Sequence, residues 1–252
     1  MNLPRILIGG ILLVGLLSSQ AAGQACCGVV DAEAPGITGR LTQAAEPPAT
    51  SRAPRFELKE VRRVLDDLIR TSYPELSRIR YVLYTFKSKT IRFRSNVRIR
   101  SLFFGKRVYR IGVNRSVLAD PPPPGALRAV LAHELAHTLY YHQRTRGQVI
   151  KTARIFFNRR AQIDFELATD LEAARRGFAG GLEEYRRWVE PRLPKAKAAG
   201  YAAKYYEAAD FVLLGRVARS RPDLLLAWQP NPPRTRAEIE ARWLAARARS
   251  KP

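Results

Sequence analysis

The segment AVLAHELAHTLYYH, Ala129 to His142, constrains this chain more than any other stretch, and it holds all 3 histidines. Within it, His133-Glu134-Leu135-Ala136-His137 spells H-E-x-x-H. The pattern has chemical meaning only on a helix. At about 100° per residue, His133 and His137 stand about 40° apart and can present imidazole nitrogens to one metal ion. Glu134 falls roughly 60° beyond His137, close enough to act on a water at the metal and badly placed to bind it. Zn2+ suits such a donor set: it polarises a carbonyl and lowers the pKa of water, and the glutamate moves the proton.

The helix is expected to be two-sided. Leu131, Ala132, Leu135, Ala136 and Leu139 fall away from the histidines, so one face meets the core and the other a cleft. The plain alternative, a pair of core histidines, fits this less well because the histidines lie off the apolar stripe.

A catalytic zinc site takes a third protein ligand. On a continuing helix His142 points with the leucines, so it is rejected and read as a helix-end residue. The candidate lies downstream in DFELATDLEAARRGF. Glu166 and Asp170 share one face of an expected helix, where Glu166 can reach the metal and Asp170 can accept the second ring proton of His133 or His137. Asp164 and Glu172 are weaker candidates, and a charged face without a metal is the plain alternative.

These residues, an H-E-x-x-H helix followed by E-x-x-x-D, resemble the zinc metallopeptidases of the HtpX and CAAX-prenyl-endopeptidase type, including their periplasmic relatives. The resemblance covers roughly residues 105–180. It implies His133, His137 and Glu166 as ligands of one Zn2+ per chain, Glu134 as general base, and Asp170 as the group orienting a histidine. It also implies an edge strand before the helix, here Val108, Tyr109, Arg110, Ile111, Gly112, Val113 and Asn114, to which a peptide substrate adds by backbone hydrogen bonds. Thr169 stands where the family usually has alanine. A His-Pro pair near the family's C-terminal end is here Gln229-Pro230, followed by Arg236. Any oxyanion stabiliser is therefore sought among Tyr141, Tyr201, Tyr205, Tyr206 or an arginine.

The remaining chain reads as three regions. Residues 1–25 carry one basic residue, the apolar run ILIGGILLVGLL and a small-residue end, the order of an export signal. A periplasmic or secreted location follows, with lipidation at Cys26 as one form of anchoring. Residues 26–55, rich in Ala, Pro, Gly and Thr, read as a tether, and 56–252 as the catalytic domain. A helix is expected over 56–73. Strands are expected at 79–86, 90–94, 97–104 and 107–113, with a turn at Gly105-Lys106. Helices are expected at 126–142, 148–176, 180–189, 195–219 and 235–249. A small sheet followed by helices is an α+β class, here expected to be zincin-like.

The net charge is +22, which favours an anionic membrane surface or acidic substrates. A nucleic-acid partner is not expected, because the chain has no zinc finger, aromatic RNA-binding box or glycine-rich loop. The expected function is hydrolysis of peptide bonds in a protein or peptide substrate. Two readings compete with it: a non-catalytic envelope scaffold or chaperone-like binder, and a nucleic-acid-associated metalloprotease. Glu134 argues against the first and the export signal against the second.

Overall fold

The computed structural model describes residues 56–249. The expected export signal, the tether and Cys26 lie outside the described residues.

Helix α1 (Leu58–Thr71) buries Val61, Leu65 and Leu68 along one stripe. Glu57 and Glu60 form a reciprocal capping box at its start, satisfying backbone N–H groups that a helix end leaves orphaned. Strands β1 (Arg80–Phe86), β2 (Phe93–Val97) and β3 (Val108–Asn114) build a mixed sheet in the order β1-β3-β2. β1 runs parallel to β3, with Arg80 opposite Val108 and Phe86 opposite Asn114. β2 runs antiparallel to it, with Phe93 opposite Val113 and Val97 opposite Tyr109.

Two expectations about the strands are corrected. Val108, Tyr109, Arg110, Ile111, Gly112, Val113 and Asn114 form the central strand, not an edge. Their backbone groups are used by neighbours on both sides, so no peptide can add there. Tyr109, Ile111, Gly112, Val113 and Asn114 are all buried, and burial on both faces is what a central strand needs. The second correction concerns 90–104, which holds one strand and then a helical turn, α2 (Arg100–Phe103). The Ser101 hydroxyl donates to the Arg98 carbonyl at 2.6 Å and accepts the Val108 N–H at 3.0 Å. That side chain closes the turn and takes the hydrogen bonds a strand would have needed.

After α3 (Arg115–Ala119) comes α4 (Pro124–His142), which carries all three histidines. From Ala126 to Leu139 every residue but Arg128 is buried. The expected two-sided helix is thus a central one, packed by α1, the sheet and later helices. Tyr73, fully buried, donates to the Ala132 carbonyl at 2.8 Å and ties the end of α1 to it.

The rest is helical: α5 (Arg146–Thr152), a 3-10 turn (Ala153–Phe157), α6 (Arg159–Ala173), a π turn (Ala174–Phe178), α7 (Ala179–Val189), α8 (Lys195–Ala202), α9 (Ala208–Ser220), α10 (Pro222–Trp228) and α11 (Arg236–Arg249). The helix expected over 148–176 is broken before α6, where the Asn158 side chain accepts the Ala161 N–H at 3.0 Å as an N-cap. The one expected over 195–219 is broken by a second capping box, Glu207 with Asp210. α6 and α7 both pack on α4. A Cβ on Gly181 would stand 2.6 Å from the Gly125 carbonyl oxygen and 2.6 Å from the Ala129 Cβ, so the α4–α7 approach requires glycine. Among the described residues, no helix is long and apolar enough to cross a membrane. The architecture is α+β, a three-stranded mixed sheet with a mainly helical body.

Candidate metal centre

α4 presents His133 and His137 one turn apart, and α6 lies across them with Glu166, Thr169 and Asp170 on its facing side. The two imidazole rings stand perpendicular, with centroids 4.7 Å apart. Glu166 Oε2 lies 3.4 Å from His133 Nε2 and 3.4 Å from His137 Nε2. The three donor atoms lie within 4.8 Å of one another.

The outer nitrogen of each ring is engaged elsewhere. His133 Nδ1 lies 2.7 Å from Asp170 Oδ1. Asp170 is fully buried and also receives Arg186 Nη2 at 2.9 Å. His137 Nδ1 lies 3.2 Å from Thr169 Oγ1. The Thr169 hydroxyl donates its only proton to the Phe165 carbonyl at 2.7 Å, so toward His137 it can only accept. With a metal held at Nε2, both rings would carry their proton on Nδ1, toward Asp170 and Thr169.

The two Nε2–Oε2 spacings suit donors sharing one small metal ion. Two ligands at about 2.0–2.1 Å from one tetrahedral ion stand roughly 3.3–3.4 Å apart, the Nε2–Oε2 spacing found here. The same spacing is too long for a strong charge-assisted hydrogen bond. The second Glu166 oxygen, Oε1, is held by Lys204 Nζ at 3.1 Å, which leaves Oε2 as the single inward donor.

Glu134 is 5% exposed, and its Oε2 has no hydrogen-bond partner. Burial pushes its carboxyl up to about 8, against the pull of His133. Burial alone would lower His133, but Asp170 at Nδ1 and Glu166 at Nε2 outweigh it and hold the imidazole up at about 10. His137, with a neutral hydroxyl at Nδ1, is lowered by burial. Burial works against charge on Glu166 too, yet the two histidines and Lys204 keep it well below the usual carboxylate range.

A cavity of about 420 Å3 opens beside His133 and Glu134. Residues 90–93 leading into β2 form one wall, and Tyr201, Lys204 and Tyr205 form the facing one. The sheet edge at this cleft is therefore β2.

Other sequence candidates lie elsewhere. His142 Nδ1 meets the Tyr109 hydroxyl at 3.2 Å, outside the cluster. Asp164 is paired with Arg234, and Glu172 with Arg175, Arg176 and Gln229. Gln229 is thus engaged on Glu172, and Arg236 lies against Glu240. Tyr141 packs with Phe165 in a small apolar cluster, and the Tyr206 hydroxyl is taken by the Pro233 carbonyl.

Sequence reasoning misses Arg186 and Lys204. Arg186 is 3% exposed and also donates to the Tyr201 hydroxyl at 2.7 Å. A signal for it existed: Leu182, Tyr185, Arg186 and Val189 share the buried stripe of α7, and a charge at a core position needs a partner. Lys204 carries no such mark among 44 basic residues. Compared with protein-family models, curated proteins and solved structures, the chain matches none.

Proposed function

We propose that the protein is an exported zinc-dependent endopeptidase, with His133, His137 and Glu166 holding one Zn2+ and Glu134 acting as general base. The observation that carries this reading is the convergence of both Nε2 atoms and Glu166 Oε2 beside an unpartnered Glu134 oxygen in an open cleft. When bound, zinc supplies a Lewis acid that polarises a peptide carbonyl and acidifies water. Glu134 takes the proton from the attacking water and passes it to the leaving amine. Its buried, unpartnered Oε2 beside the cluster is placed for that transfer. Asp170 and Thr169 orient the two imidazoles, and Arg186 holds Asp170 in place. Lys204 restrains Glu166 through Oε1.

A peptide substrate is read as lying along the outer edge of β2. That strand ends the sheet, and its Phe93 borders the cleft, so its free backbone groups can pair with an extended chain.

The test is elemental analysis of the purified chain together with a peptide-cleavage assay. The parent is expected to carry near one zinc and to cleave. Glu166→Ala loses the metal, and Glu134→Gln keeps it but slows cleavage by about 10²–10⁴-fold. No zinc in the metal-replete parent overturns the metal reading. Full cleavage by Glu134→Gln overturns its role as base. Retained cellular function in that variant favours the non-catalytic scaffold.

A further inference from the structure

The basic residues are spread along the chain, but the acidic ones are not. From Leu76 to Ala119 there is no Asp or Glu and there are 12 Lys or Arg, and from Leu135 to Ile163 there is again none against 6. The first stretch makes the sheet and α2, and the second makes the end of α4, α5 and the 3-10 turn. Among the described residues, none of these cations forms an ion pair.

The two stretches meet at one end of the molecule. Leu102 of α2 is buried in a cluster with Tyr109, Tyr141 and Val149, against which Ile155 packs. Arg146 donates to the Gly105 carbonyl at 2.6 Å. Around this anchored base, large apolar side chains project into solvent: Phe103 is 54% exposed, Phe104 73%, Phe157 78% and Ile99 48%. Arg98, Arg100, Lys106 and Arg154 beside them are exposed as well.

We propose that this end, the α2 turn with the 153–157 turn, docks on an anionic lipid surface. Exposed phenyl and aliphatic groups set among unpaired cations match the headgroup boundary of such a bilayer. There the apolar groups leave water while arginines and lysines meet lipid phosphates. The rings sit on turns, with Gly105 at φ 67 turning the chain back at the tip. A single-stranded nucleic acid also stacks on aromatic rings set among arginines, but the exposed aliphatic Ile99 among them favours the lipid boundary. The proposal is independent of whether the cleft hydrolyses peptides.

The experiment is co-sedimentation of the full chain with vesicles of phosphatidylglycerol and phosphatidylcholine, compared with the double variants Phe103→Ser/Phe104→Ser and Arg98→Glu/Arg100→Glu. All three proteins keep the same N-terminal residues, so any difference reads the tip. The parent is expected to bind, and the aromatic variant to bind about tenfold or more weakly with an unchanged melting temperature. The arginine variant also weakens, and its binding depends less on salt. A parent that does not bind, or an aromatic variant that binds as the parent does, overturns the proposal. So does tight binding of a single-stranded oligonucleotide with the same loss in the aromatic variant, which assigns the surface to nucleic acid.

Discussion

Thr169 Oγ1 lies 3.2 Å from His137 Nδ1 while giving its own proton to the Phe165 carbonyl. One hydroxyl therefore dictates which nitrogen of His137 is free to bind a metal, as Asp170 does for His133. Removing the acceptor in Thr169→Val should weaken zinc binding by about 10–100-fold, and Thr169→Ser should restore most of it. Competition with a chromogenic chelator measures both. Equal affinity in parent and valine variant would mean that the ring is held by packing on Phe165 alone.

Arg186 and Asp170 form a buried pair, 3% and 0% exposed. Arg186→Met leaves the aspartate charge in the core opposed only by His133, at a cost of about 3–5 kcal/mol. Arg187→Met, next along α7 on an exposed surface pair, should cost less than about 1 kcal/mol. Urea unfolding of the two variants compares them directly, and equal losses would contradict the assignment.

Neighbouring glycines of α7 should respond oppositely. Gly181→Ala forces a methyl group against the Gly125 carbonyl and Ala129 and should cost about 1–3 kcal/mol. Gly180→Ala meets nothing within 4 Å in an exposed helical position and should stabilise by about 0.5–1 kcal/mol. Thermal melts of both variants check the sign of each.

Glu172 gives a pH dependence. Burial opposes its charge, but Arg175 and Arg176 outweigh that and hold its carboxyl below the usual glutamate range. A folded pKa below the unfolded one means that the ionised form stabilises the fold. The contribution is complete above pH about 4.5 and is lost as pH falls through the depressed folded value. Glu172→Gln should cost about 1–3 kcal/mol at neutral pH, and the gap to the parent should close on acidification. A gap that stays constant down to acid pH would remove the carboxylate from the account.

Much of the centre is legible in the residues themselves. Helical spacing alone puts His133 and His137 on one face and sets Glu134 aside from them, because these three relations are local. Glu166 and Asp170 are legible one step less directly. Their spacing marks a shared face, but only the packing of α6 on α4 selects them over Asp164 and Glu172, which face Arg234 and Arg175 instead. Helix breaks at Asn158 and Glu207 carry cap residues in the sequence, yet apolar periodicity runs through both and hides them.

By itself, the sequence determined the α+β class, the helix that carries His133, Glu134 and His137, and the identities of the residues within one turn of each other. These depend on backbone periodicity and on side-chain chemistry a few residues apart. Tertiary structure alone decided that β3 is central and β2 an edge, that α4 is buried through most of its length, and that Thr169 and Lys204 touch the His133, His137 and Glu166 cluster while Arg186 touches Asp170 beside it. Each of these turns on which neighbour fills a given side of a strand or helix. That choice is made by packing between segments tens of residues apart, where local spacing carries no information.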